Sequence, residues 1–399
     1  MYYLLTGVFS AAFISGNWVF FWLRLTTYGQ LGLLDAAAFA FGLLMEIPTG
    51  AAADVIGRRK TLVAAMFFAS VGYFVMASAV VAHTLVIGFL FVQIGWAFFS
   101  GSVEALAYDS LKEAGQEDQF ERVISKGHVL ATMSLVVAAA LGGLLYVVDI
   151  RLPNIACGVA YLVGLVVASF IHEPKVEGER FSVKAYQKQL LMGFRQLAQP
   201  ALRTYRPLIF ATVGIYFLFS FGLLQPSLAA SFGFMANAQA AIFAGLWLIA
   251  ALGVGFLPRL RQQFYDLPGL AVLGAVIGMG FLLAVLPLKT FGILPLLLII
   301  VGGELAIPWL SVAVNQYVDS QYRATTLSTI ALLTKVPYVI TGIATGLAVE
   351  HNLLPLVSFA IGAGVLALVG WTAWNVGFDE SGNAESAANS TEALAETVT

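Results

Sequence analysis

Charge is scarce in this chain. Asp, Glu, Lys and Arg make up 11% of its 399 residues, against about 25% in soluble domains. Apolar residues make up 60% and mean hydropathy is +0.88. A water-soluble core stops growing near ~250–300 residues, so the bilayer has to be the solvent. That excludes a soluble enzyme, a nucleic-acid-binding protein and a disordered chain. Cysteine is nearly absent: Cys157 alone supports neither a disulfide framework nor a thiolate metal site. The four histidines show no metal-ligand spacing. No Walker loop is present, which removes ATP as the direct energy source. No Ser/His/Asp grouping, cysteine pair or metal cluster lies in the apolar runs, so an intramembrane enzyme is not expected. Met1-Tyr2-Tyr3 lacks the basic start of a cleavable leader. The first apolar run is expected to stay in the membrane, with a few residues expected ahead of Met1.

What remains is apolar runs of about 20 residues, the length that crosses ~30 Å of hydrocarbon as a helix. Twelve are read, at 2–23, 31–53, 61–81, 84–105, 127–148, 153–171, 207–226, 239–257, 269–287, 292–314, 327–349 and 355–376. They are continuous rather than alternating, which argues for helices over a barrel. The fold class predicted is therefore an all-α integral membrane protein of twelve transmembrane helices. With the N-terminus cytoplasmic, the cytoplasmic loops hold 16 of the 20 Lys and Arg. Only Arg24, Arg151 and Lys289 fall outside, and Lys335 lies within a span. This asymmetry places both termini in the cytoplasm.

The longest polar interruption, 172–206, separates six-span halves of 171 and 170 residues, 1–171 and 207–376. Equal halves joined by a basic linker point to a 6+6 pseudo-repeat with the site at its interface. Within the linker Val183, Tyr186, Leu190, Phe194 and Leu197 recur at spacings of three and four. This predicts an amphipathic helix on the inner membrane surface. The tail 377–399 carries five acids and no base and is expected to be disordered and cytoplasmic.

The loop after the second span reads Gly50-Ala-Ala-Ala-Asp54-Val-Ile-Gly57-Arg58-Arg59-Lys60. It resembles the cytoplasmic signature of the major facilitator superfamily, G-x-x-x-D-x-x-G-R-[RK]-x, and stands where that family has it. Gly50 allows close helix approach and Gly57 a sharp turn. The resemblance implies that Asp54 meets the start of the eleventh span, near Thr326–Ser328, and that Arg58 or Arg59 pairs with Asp109. Together these would hold the cytoplasmic side shut. Ser100–Lys112, Glu46–Gly50, Glu173-Pro174 and Arg323–Thr325 look like stretches common in poorly characterised bacterial members. The second-half counterpart, GVGFLPRLR at Gly253–Arg261, lacks the aspartate and the second glycine, so gating contacts are expected to be asymmetric. Leu141-Gly142-Gly143-Leu144 stands where the family's proton antiporters often have G-P-x-x-G, and its lack of proline weakens antiport by that argument.

Charges inside spans cost ~2.5–3.5 kcal/mol each on insertion scales and are functional suspects. Glu304 and Lys335 lie at similar depths, about 15 Å and 12 Å from the inner face by helical rise. They read either as a structural ion pair or as a proton carrier with its neighbour; substrate contact is the third possibility. Glu46, ahead of Pro48, reads as structural or as coupling. Asp35 is wet, paired with Arg24, or coupling. In the resembled family the first, fourth, seventh and tenth spans line the cavity. The candidates there are Asn17; Gln93, Trp96 and Ser100; Tyr216 and Ser220; and Ser311. Aromatics, amides and one acid suit an amphipathic or weakly cationic solute. The absence of an arginine cluster speaks against phosphorylated or polycarboxylate ones.

The resemblance implies a secondary transporter working by alternating access in the cytoplasmic membrane of a bacterium. It would need no cofactor and would draw on the proton gradient. The expected activity is proton-coupled efflux of a drug-like or metabolic compound. A sugar or metabolite importer or facilitator is the alternative within transporters, and a non-transporting sensor or scaffold the alternative outside them. Its expected partners are a small molecule and lipid, without nucleic acid, and the resemblance implies a monomer.

Overall fold

The structure, a computed structural model, describes residues 1–100, 102–174, 183–318 and 323–396. Some side chains within the helices, those of Asp54, Asn315 and everything after Asn375 among them, lie outside the description.

The first half comprises α1 Tyr2–Phe9, α2 Trp18–Trp22, α3 Tyr28–Ile56, α4 Arg58–Ala77, α5 Ala82–Ser100, α6 Val103–Glu113, α7 Phe120–Val148 and α8 Leu152–Ser169. The linker carries α9 Val183–Leu197, over the stretch with helical spacing. The second half comprises α10 Tyr205–Ile209, a π-helical turn at Phe210–Gly214, α11 Ile215–Ser220, α12 Leu224–Ser231, α13 Ala236–Val254, α14 Leu257–Phe264, α15 Asp266–Leu283, α16 Ile293–Tyr317, α17 Arg323–Glu350 and α18 Leu354–Glu396. No strand occurs among the described residues. The acidic tail is traced as the end of α18.

Ten of the described helical segments are long and apolar enough to cross a bilayer. The pair Tyr205–Ser220 and Leu224–Ser231, bent by 73°, makes eleven if counted as one span. The run read as the first span, 2–23, does not qualify by length because it is broken into α1 and α2. Turns occupy the interval, and Gly16 adopts φ +85°, a conformation glycine takes at no steric cost. Backbone groups at such a break need partners when lipid surrounds them. Local turns supply some of them and the later helices supply others. Ser134 of α7 donates to the Gly7 carbonyl at 2.6 Å. From α8, Tyr161 donates to the Phe9 carbonyl at 2.9 Å and the Cys157 thiol faces that of Ala11 at 3.9 Å.

Each half has its own apolar core. In the first half Leu5, Phe21, Trp22, Leu62, Met66, Tyr73 and Tyr161 pack together. The second half has one cluster around Phe219, Phe243 and Phe281 and another around Trp309, Leu270 and Leu305. The halves meet along two lines, α3 against α17 and α7 against α13. α9 packs on α17. Its C-terminal end is closed by the Arg206 guanidinium, which donates to the carbonyls of Leu197 at 2.6 Å and Gln199 at 3.0 Å, the favoured sign of charge there.

The turn between α3 and α4 and the turn between α14 and α15 are built from different residue types. Gly57 joins α3 to α4 at φ +93°, ψ 157°. In the second half Tyr265 joins α14 to α15 at φ +53°, ψ 178°. A side chain there costs about 1 kcal/mol or more, and Tyr265 is 75% exposed, with little packing in return. Tyr265→Gly is therefore expected to raise the melting midpoint of the detergent-solubilised protein. A lowered midpoint would contradict this reading of the turn.

Candidate functional site

Three of the four charged residues singled out within the spans, Asp35, Glu46 and Lys335, lie on the line where α3 meets α17. Read along α17, residues 335, 338, 342, 346 and 350 are spaced 3, 4, 4 and 4 apart and fall on one helical face. They meet α3 in reverse order. Lys335 Nζ lies 3.6 Å from Glu46 Oε1. The Tyr338 hydroxyl donates to Asp35 Oδ2, with Asp35 only 5% exposed. A Cβ on Gly32 would fall 2.7 Å from the Gly342 carbonyl oxygen, and one on Gly346 would fall 2.5 Å from that of Tyr28. At the far end Glu350 reaches the first turn of α3. From Tyr28 to Glu46 this contact runs about 27 Å by helical rise, nearly the hydrocarbon thickness. Phe39 and Phe217 pack on the Tyr338 ring at 4.8 and 6.1 Å between centroids and keep its hydroxyl aimed at Asp35.

Glu304 is held differently. It accepts a hydrogen bond from the Tyr216 hydroxyl at 2.7 Å, and the ring of Tyr216 lies against Gly303. The ion pair of Glu304 with Lys335 expected from their depths does not form. Depth fixes height along a helix but not direction around it; Lys335 faces α3 while Glu304 faces α11. Asp35 likewise does not meet Arg24, whose Nε donates to the Phe21 carbonyl at 2.9 Å with its guanidinium 4.0 Å above the Phe21 ring. Glu46 has a partner in another helix, so its part is not confined to the backbone beside Pro48.

The cavity candidates divide. Asn17 is 1% exposed and donates to the Phe13 carbonyl at 3.1 Å. Gln93 bridges α5 to the Ala38 carbonyl of α3 at 3.0 Å. Trp96 stands 5.9 Å from Phe9 between centroids. Ser100 bonds back to the Ala97 carbonyl at 3.3 Å. Ser220 and Ser311 are half-buried.

At the signature loop, Arg58 Nε lies 3.7 Å from Asp109 Oδ2. Glu173 adds an unexpected contact. Its carboxylate accepts the backbone N–H groups of Arg58 at 2.6 Å and Arg59 at 2.9 Å, capping α4 where an acid is favoured. Gly50 lies in α3. The expected contact of Asp54 with the start of α17 lies outside the described residues, as does its side chain. In the second half Arg261 pairs instead with Asp266, immediately after the turn, and the Trp309 indole donates to the Asp266 carbonyl at 2.9 Å. The contacts of the two loops therefore differ.

Tyr338 and Glu350 did not stand out in the sequence. The signal that finds them is the five-residue face on α17, legible once Lys335 is taken as its first member.

The sequence model of the Major Facilitator Superfamily matches residues 3–342; the chain belongs to this family of membrane transporters and is not an enzyme. It is 22% identical over 343 residues to the tetracycline resistance protein, class C, of Escherichia coli, covering 80% of this chain and 83% of that one. Its fold matches the crystal structure of the nucleoside transporter NupG with a TM-score of 0.72 at 13% identity, covering 93% and 96% of the two chains. A bacterial homologue of the human lysosomal transporter Spinster, solved inward-facing and unoccupied, matches with a TM-score of 0.62 at 18% identity, over 93% and 91%.

Proposed function

We propose that this protein exports a drug-like or metabolic compound across the cytoplasmic membrane in exchange for protons, by alternating access. The end bearing the signature loop faces the cytoplasm, as the distribution of Lys and Arg favours. The observation that carries the reading is the bonding of the two buried carboxylates. Asp35 and Glu304 each accept from a tyrosine hydroxyl. Among the described residues neither one forms an ion pair. A carboxylate fixed by a base stays charged, whereas one held by a neutral donor can gain and lose a proton as its surroundings change. Glu46, paired with Lys335, suits this less well. The relationship to a tetracycline resistance protein favours efflux and adds tetracyclines to the compounds worth testing.

Everted vesicles with a pH-sensitive dye test this. Tetracyclines, lipophilic cations, other antibiotics and sugars are added to vesicles containing wild-type protein, Glu304→Gln or Asp35→Asn. The expected result is compound-triggered proton release in the wild type and at least a tenfold loss in one of the variants. Compound flux without proton movement would instead favour the facilitator reading.

A further inference from the structure

Glu350 takes no part in the proposed proton cycle, yet it joins the two halves at the end opposite the signature loop. It is the last residue of α17. Its Oε2 accepts from the Gly29 N–H at 2.5 Å and from the Thr27 hydroxyl at 3.0 Å. Both groups belong to the start of α3, where the first N–H groups of a helix have no partner within it. A capping box already serves the neighbours: Gln30 N–H donates to Thr27 Oγ at 3.3 Å, and Thr27 N–H donates to Gln30 Oε1 at 3.1 Å. The Gly29 N–H is left for a group from elsewhere, and the partial positive charge of the helix start favours an acid.

The seat is shaped for that acid. A Cβ on Gly29 would fall 2.4 Å from Glu350 Oε2, so any larger residue displaces the carboxylate. One turn further in, Gly32 and Gly346 bring the two backbones together, where a Cβ on Gly346 would fall 2.9 Å from the Gly32 Cα. That packing is apolar and unspecific in direction. The carboxylate supplies a directional, charge-assisted bond at the outer edge of the contact, where two rigid halves would begin to separate.

We propose that Glu350 is the outer latch of the transporter: its carboxylate on the first turn of α3 holds the halves closed at the outer end and is released each time the protein opens outward. Its strength then sets the share of time spent outward-open. The proposal rests on alternating access as read above, but on no particular substrate or coupling ion.

Spin labels on cysteines placed at Val80 and Phe291 report the outer opening. Both positions are well exposed, lie in loops of opposite halves and stand outside the latch; Cys157 is buried and stays unlabelled. Glu350→Gln keeps the shape of the side chain and removes the charge. It is expected to raise the ratio of long to short label distances about tenfold, equivalent to ~1.4 kcal/mol. Gly29→Ala, which blocks the seat while Glu350 remains, is expected to act in the same direction. Gly346→Leu wedges the helices apart and serves as reference. If it lengthens the distances while Glu350→Gln and Gly29→Ala leave them as in the wild type, the latch is refuted and alternation stands. If the long distance never appears, even with the wedge, alternating access fails and the latch with it.

Discussion

Gly142→Val is expected to abolish recovery of folded protein. Gly142 lies in α7 where it crosses the break between α1 and α2, and a Cβ there would fall 1.8 Å from the Phe13 carbonyl oxygen and 2.7 Å from its carbon. Ordinary overpacking costs about 1–3 kcal/mol because side chains can shift. Here the obstacle is backbone, already fixed by Asn17 donating to that same carbonyl and by the bonds that α7 and α8 make to Gly7, Phe9 and Ala11. The expected cost exceeds that range, and total stabilities are only ~5–15 kcal/mol. Size-exclusion profiles of the detergent extract check it. A monodisperse variant melting like the wild type would show that the crossing can loosen.

The second large effect is expected at Tyr338. Tyr338→Phe keeps the ring between Phe39 and Phe217 and deletes only the hydroxyl that serves Asp35. A buried carboxylate losing its donor costs about 1.5–3 kcal/mol, or roughly 10–150-fold in any equilibrium that depends on the contact. Asp35→Asn removes the charge and should be milder. In Asp35→Asn with Tyr338→Phe the two losses should not add, leaving a coupling of about 1 kcal/mol or more in a double-mutant cycle of thermal stability. Since α3 and α17 belong to opposite halves, Tyr338→Phe should also slow transport. Additive effects would mean that the bond contributes nothing, and would leave Glu304 to carry the proton reading.

The membrane class and the signature loop were legible in the sequence because the first depends on composition and the second on residues adjacent in the chain. Gly57 was expected to make a sharp turn, and its φ of +93° does so; Arg58 was expected to find Asp109 and lies 3.7 Å from it. The lone charges were also found, since lipid makes Asp35, Glu46, Glu304 and Lys335 conspicuous. Their partners were not, because pairing depends on direction around each helix as well as depth. That is why Lys335 was matched to Glu304 when Glu46 holds it. Tyrosines draw little attention in an aromatic-rich chain: Tyr338 passed as packing, and Tyr216 was read as a cavity residue rather than as the donor to Glu304. The break after α1 was hidden in an unbroken apolar run in which Gly16 and Asn17 were the only clues.

That break bears on how the protein is made. α1 and α2, of eight and five residues, reach about 12 Å and 8 Å by helical rise, each far short of the membrane. At the end of α1 and just beyond it, the carbonyls of Gly7, Phe9 and Ala11 rely on Ser134, Tyr161 and Cys157, which lie more than a hundred residues further along the chain. The segment 2–23 therefore lacks part of its backbone bonding until α7 and α8 are in place. Those bonds close only when the fifth and sixth spans pack against it, so this broken segment, α7 and α8 are completed together.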